Sequence, residues 1–134
     1  MTCFGLAAAE AIYSQPELSD AWREDLLTYL RGNLELLQDY AYNRFHRHGV
    51  ILSQPTEATY LIWFDARMLQ NTLRLKQIPD ISTPYDLFES YGVGLTDGKP
   101  FAGEGYIRIN FALPRDRLHE ALERMAQALE ENCK

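Results

Sequence analysis

The sequence is short of the residue types from which self-sufficient reactive sites are usually built. Its 134 residues include 2 cysteines, Cys3 and Cys133, at opposite ends of the chain. There is therefore no C-x-x-C pair and no disulfide framework, and a reducing, cytoplasmic setting is the expectation. Lysine is nearly as scarce, with Lys76, Lys99 and Lys134 only. No apolar run approaches the ~20 residues that a bilayer-spanning helix requires. The opening Met1-Thr2-Cys3-Phe4-Gly5 carries no basic segment, and Leu6 to Ala11 is interrupted by Glu10, so a signal peptide is not expected. Basic charge is thin as well: 13 Lys+Arg face 19 Asp+Glu, a net charge of −6, and no basic run exceeds two residues. That balance disfavours nucleic acid and anionic membrane as partners.

What is present is an ordinary globular balance, with 46% hydrophobic and 24% charged residues. One domain of this length can bury roughly 68% of its unfolded surface without staples. Gly5 to Ser14 reads as a short alanine-rich helix ended by Gln15-Pro16. Ser19 is placed to cap a second helix running to about Tyr42, with Trp22, Leu26, Tyr29, Leu30, Asn33, Leu37 and Tyr40 on one stripe. At ~33 Å such a helix is long for a small domain and suits a link between two bodies. Arg44 to Gly49 reads as a polar turn, Val50 to Ser53 as a short strand, and Gln54 to Ala58 as a loop around Pro55. Thr59 to Phe64 lacks polar alternation, which predicts a strand buried on both faces.

Asp65 to Leu73 predicts a short helix, Leu75 to Ser82 an irregular stretch, and Thr83-Pro84 the start of a helix to about Tyr91. Gly92 to Leu95 reads as another short strand and Thr96 to Gly105 as a long glycine-bearing loop. Tyr106 to Ala112 alternates cleanly, and from Pro114 the residues Leu118, Leu122, Met125 and Leu129 form the apolar seam of a last helix. This order predicts an α+β fold: a small mixed or antiparallel sheet with helices packed on one face, plus a long N-terminal linker helix.

The strand at Tyr106 carries the chemistry. Ile107, Ile109 and Phe111 point toward the helices, so Tyr106, Arg108 and Asn110 point away from them. A mid-strand arginine is costly to bury without an anion. Its planar fork matches a carboxylate through two parallel hydrogen bonds, although a neighbouring Asp or Glu could equally supply the partner. Other candidates fall short. The loop around Lys99 lacks phosphate-loop spacing. His46, His48 and His119 suggest no third metal ligand, and Cys3 has no nearby histidine. Ser53, Ser82 and Ser90 have no nucleophile-elbow context. Asp65, Asp86 and Glu89 fit helix faces and caps. None of the lysines ends an apolar strand or sits in a shielded turn suited to Schiff-base chemistry.

Three segments, Ala21 to Asn33 (AWREDLLTYLRGN), Pro55 to Asp65 (PTEATYLIWFD) and Leu87 to Met125 (LFESYGVGLTDGKPFAGEGYIRINFALPRDRLHEALERM), together resemble the C-terminal part of fold-type I pyridoxal-phosphate enzymes. Within the class I/II aminotransferase superfamily the resemblance is to the cystathionine β-lyase, or C–S lyase, group of the MalY/PatB type. The resemblance implies that Arg108 binds the α-carboxylate of an amino-acid substrate. It further implies that the loop 94–105 edges the active site. The Schiff-base lysine, the aspartate at the pyridine nitrogen and the phosphate cup would lie in a large upstream domain. On this basis residues 1–15 are expected to be a helix belonging to that large domain, and residues 16–134 a C-terminal small domain. Pyridoxal 5'-phosphate is then expected in the complete enzyme, a homodimer, and not on the isolated chain, which should be inactive. The alternative is a non-catalytic module that binds a small carboxylate or dimerises through the Arg108 face. The exposed apolar residues expected on the first helix favour self-association.

Overall fold

The computed structural model describes residues 2–53 and 56–133. Part of the loop expected around Pro55, and Lys134, thus lie outside the described residues. The chain divides into two compact units between Gly32 and Asn33. None of the helices among the described residues is long and apolar enough to cross a membrane.

The first unit contains helix α1 (Cys3–Tyr13) and the opening of helix α2 (Pro16–Tyr40). Thr2 caps α1, its hydroxyl accepting from the Gly5 amide at 3.2 Å. Ser19 does not cap α2 as expected. Pro16 starts that helix, because its fixed φ and missing N–H suit the first turn. The Ser19 hydroxyl instead donates to the Ile12 carbonyl at 2.9 Å. No α1 residue is buried, and Phe4, Leu6, Ile12, Tyr13, Leu18 and Trp22 are exposed.

The second unit is the α+β layer. Strands β1 (Ile51–Leu52), β2 (Leu61–Asp65), β3 (Thr96–Asp97) and β4 (Tyr106–Asn110) form an antiparallel sheet in the order β1-β2-β4-β3. Helices α3 (Arg67–Lys76), α4 (Pro84–Ser90) and α5 (Arg115–Asn132) accompany it, and the helices lie on one side of the sheet. The fold class expected from the sequence holds. Ile62, Phe64, Ile107 and Ile109 point into the core, where they join Phe45, Leu69, Leu87, Leu118, Leu122 and Met125. Burying one such side chain contributes about 1.5–3 kcal/mol.

Three local expectations are corrected. The 44–49 stretch is not a polar turn: α2 runs on into a π-helical segment (Ala41–Phe45) and a 3-10 turn (His46–His48), because Ala41 and Phe45 are buried. Gly49 ends it at φ +78°, where a Cβ would stand 2.6 Å from that of Met68. Strand β2 is not buried on both faces. Ile62 and Phe64 are buried while Leu61, Trp63 and Asp65 are half-buried, since helices cover only one side. Residues 92–95 form no strand; pairing begins at Thr96, which sits opposite Arg108.

Two polar devices fix the approaches to the sheet. Thr83 and Asp86 cap α4 reciprocally, the Thr83 hydroxyl accepting from the Asp86 amide and the Asp86 carboxylate from the Thr83 amide. Burial pushes the Asp86 carboxyl up, but the hydrogen bonds from Thr83 and Ser82 outweigh it and hold the group below its usual range. Asn33 is fully buried, and its amide donates to the Phe111 and Leu113 carbonyls, both at 2.9 Å, while its oxygen accepts from Arg115 Nε at 3.1 Å. Asn33 therefore pins the chain as it leaves β4. Asn33→Ala leaves two backbone carbonyls without that donor and should cost about 2–4 kcal/mol in urea unfolding. A loss below about 0.5 kcal/mol, the scale of an ordinary surface substitution, would contradict this assignment.

Candidate functional site

The site follows from pairing register. Trp63 on β2 and Thr96 on β3 both sit opposite Arg108 on β4. Side chains alternate along each strand, so Trp63, Arg108 and Thr96 form a row across the face that the helices leave open. Asp65 pairs with Tyr106, and Leu61 with Asn110, one step to either side. Beside this row Ile51, Leu61, Trp63 and Tyr106 help to line a concavity of about 750 Å³, within the size range of small-molecule sites.

Arg108 is half-buried on this face, as the strand pattern predicts. Its Nε is buried and has no hydrogen-bond partner among the described residues. No carboxylate lies within ion-pair distance of it there. The acid nearest on the same face of the sheet, Asp65, opposite Tyr106, is engaged elsewhere: it accepts from Arg67 Nε at 2.9 Å and from Arg67 Nη2 at 2.6 Å. The hydrogen bond from the Arg67 side chain is the main cause that holds the Asp65 carboxyl below its usual range. Arg67 in turn lies over the Tyr106 ring, 5.2 Å from its centroid.

What covers the Arg108 guanidinium is aromatic. Its Cζ lies 4.1 Å from the centroid of Phe101 and 5.9 Å from that of Trp63. The two rings meet edge to face, with centroids 6.3 Å apart and planes at 89°. Phe101 arrives through a tight turn (Lys99–Phe101) closed by Gly98 accepting from the Phe101 and Gly103 amides. Gly98 and Gly103 are needed because the turn rests on Trp63. A Cβ at Gly98 would stand 2.5 Å from the Gly103 carbonyl oxygen and 2.7 Å from that of Tyr106. A Cβ at Gly103 would stand 2.8 Å from the Trp63 ring. The reading of 96–105 as a single loop missed both β3 and this turn, and so missed Phe101. Trp63 was legible from β2 register alone, had its face been read as open.

The other polar constellations join elements of the second unit to one another. The buried Tyr40 hydroxyl donates to Glu123 and lies 3.2 Å from His119 Nε2. Burial, then the bond to Glu123, pushes the Tyr40 hydroxyl up to about 12. Arg44 bonds Glu130 at 2.8 Å, and Arg47 reaches the same carboxylate at 3.0 Å. His119, read as part of the first turn of the last helix, thus belongs to a clip between the end of α2 and α5. Asp86 and Glu89 sit at a cap and on a helix face: Glu89 accepts from the Tyr85 hydroxyl at 2.9 Å. Cys3 is exposed and Cys133 half-buried, and burial pushes the Cys133 thiol up.

No family model matches the chain. A Mycobacterium leprae protein assigned as a cystathionine β-lyase is 39% identical over 116 residues, covering 81% of this chain and 28% of that protein. The cystathionine β-lyase of Corynebacterium glutamicum is 30% identical over 130 residues, covering 96% of this chain and 31% of its own length. Among solved structures, a C–S lyase from Staphylococcus hominis with bound pyridoxal phosphate and L-cycloserine superposes with a TM-score of 0.73 at 29% identity. The match covers 93% of this chain and 30% of that one. The chain is thus similar to cystathionine β-lyases and aminotransferases over about 30% of their length.

That similarity sets a test for the cofactor, which the described residues do not meet. Lys76 Nζ donates to the Asn132 carbonyl at 2.8 Å, and Lys99 is exposed on the turn before Phe101. Neither is shielded as a Schiff-base lysine must be, so no step through pyridoxal phosphate is assigned to these residues. What the described residues offer is a guanidinium whose Nε has no partner among them, held in an aromatic seat. Gly98→Ala should lift the turn from Trp63 and cost about 1–3 kcal/mol, the usual penalty of overpacking. In a Trp22→Phe background the remaining indole emission should shift at the same time; unchanged emission and stability would show that the turn is not seated on Trp63.

Proposed function

We propose that this chain is the small C-terminal domain of a pyridoxal-phosphate C–S lyase or aminotransferase that acts on amino acids. In it Arg108 holds the substrate α-carboxylate. The observation that carries the reading is the Arg108 guanidinium itself: half-buried on the open sheet face, its Nε without a partner among the described residues, and the nearest acid on that face, Asp65, taken by Arg67. A group in that state gains most from a planar anion that accepts two hydrogen bonds side by side. The relatives supply the reaction class, and the chain spans about 30% of their length.

In this reading Arg108 contributes orientation. Holding a carboxylate before the chemical step removes translational and rotational freedom at that point, an effect worth several kcal/mol of a barrier in well-ordered sites. Residues 16–134 form the small domain, and residues 1–15 pack against a large domain that brings the lysine and binds the cofactor. The exposed apolar residues of α1, Phe4 and Leu6 among them, support such a covering surface. The complete enzyme is a homodimer.

The chain alone, given pyridoxal phosphate and cystathionine, should show neither turnover nor the absorbance of a cofactor bound to lysine. It should nonetheless bind propionate weakly through Arg108, followed by amide and guanidinium shifts in NMR titration. Arg108→Ala should abolish those shifts. Turnover by the chain alone, or an Arg108→Ala titration matching that of the unsubstituted chain, would overturn the proposal.

A further inference from the structure

Phe101 is about half exposed, at 51%, on a turn outside the core, so core packing does not account for its place. Its ring lies against a guanidinium at 4.1 Å, closer than the other three cation–ring contacts in the described residues. We infer that Phe101 is a positioning residue for Arg108: it covers one face of the guanidinium and leaves the hydrogen-bonding edge to a carboxylate. The inference rests on the reading of Arg108 as a carboxylate holder and adds the group that fixes its geometry.

A guanidinium donates in its own plane and presents a π surface above and below. Phe101 covers one such surface, and Trp63 approaches it at 5.9 Å. An anion is thereby steered to the edge, where two N–H groups lie parallel. A flexible arginine otherwise surrenders rotamer freedom at the moment of binding, and stacking removes that loss beforehand. The turn that brings Phe101 is itself held. Gly98 donates to the Tyr106 carbonyl at 2.9 Å, Tyr106 donates to that of Gly103 at 3.0 Å, and Ala102 closes the turn at φ +60°. Gly98 and Gly103 let it lie flat on Trp63. The aromatic seat and the strand arginine therefore form one rigid arrangement within the second unit.

The test compares Phe101→Leu and Phe101→Tyr in the full chain, with propionate as the probe. Leucine keeps an apolar side chain but removes the π face; tyrosine keeps it. Phe101→Leu should bind propionate about two- to fivefold more weakly, the range expected for one partly exposed cation–π contact, and Phe101→Tyr should restore the affinity. The Arg108 Nε–H resonance reports the stacking directly. Shielded by the ring in the unsubstituted chain, it should move downfield in Phe101→Leu and return in Phe101→Tyr. Affinity and resonance both unmoved by Phe101→Leu would overturn the inference while leaving Arg108 as the carboxylate holder. An unsubstituted chain that binds no propionate would overturn both.

Discussion

A sheet covered on one side only must show every second residue of its central strands to whatever lies opposite. In this chain that constraint decides the rest. The helices bury Ile62, Phe64, Ile107 and Ile109, and strict alternation then sends Trp63 and Arg108 to the open face. A one-residue slip in the pairing of β2 and β4 would exchange the two sets and bury a charge in an apolar core. Register is therefore fixed by the cost of that exchange as well as by the gain from burying four apolar side chains.

On the open face, two ways of satisfying an arginine compete. Pairing with a fixed acid neutralises it, and stacking on rings holds it without neutralising it. The chain uses each at a different residue. Arg67 receives the carboxylate of Asp65 in two hydrogen bonds, and Arg108 receives the faces of Phe101 and Trp63. The first leaves little affinity for an added anion. The second leaves Arg108 without an acid partner among the described residues, which in the proposed reading separates a structural arginine from a binding one on the same face.

How much of this could be read from the sequence follows from the range of each signal. The α+β class, the element order and the outward direction of Arg108 come from periods of two and 3.6 within single elements, and those held. The Thr83 cap likewise needs only residues three apart. Ser19 is of a cap-forming type, but a proline upstream had already begun the helix. The 41–48 stretch turned helical because Phe45 is drawn into a core made by distant residues, which no local window shows. β2 looked doubly buried because Trp63, half-covered by the 98–103 turn, reads as simply apolar. Phe101, the one aromatic residue in a polar glycine-bearing segment, carried no local sign of its partner. That contact depends on Gly98 and Gly103 fitting against a ring from another strand.

Everything rests on Arg108 being half-buried on the open face, stacked on Phe101, with no acid among the described residues paired to it. The most direct measurement is site-resolved modification of the native chain by phenylglyoxal, with peptide mass mapping at Arg108 in the presence and absence of propionate. The account predicts that Arg108 reacts in the folded chain and that propionate protects it. An Arg108 that stays inert until the chain is unfolded, or whose reaction is indifferent to propionate, would contradict it.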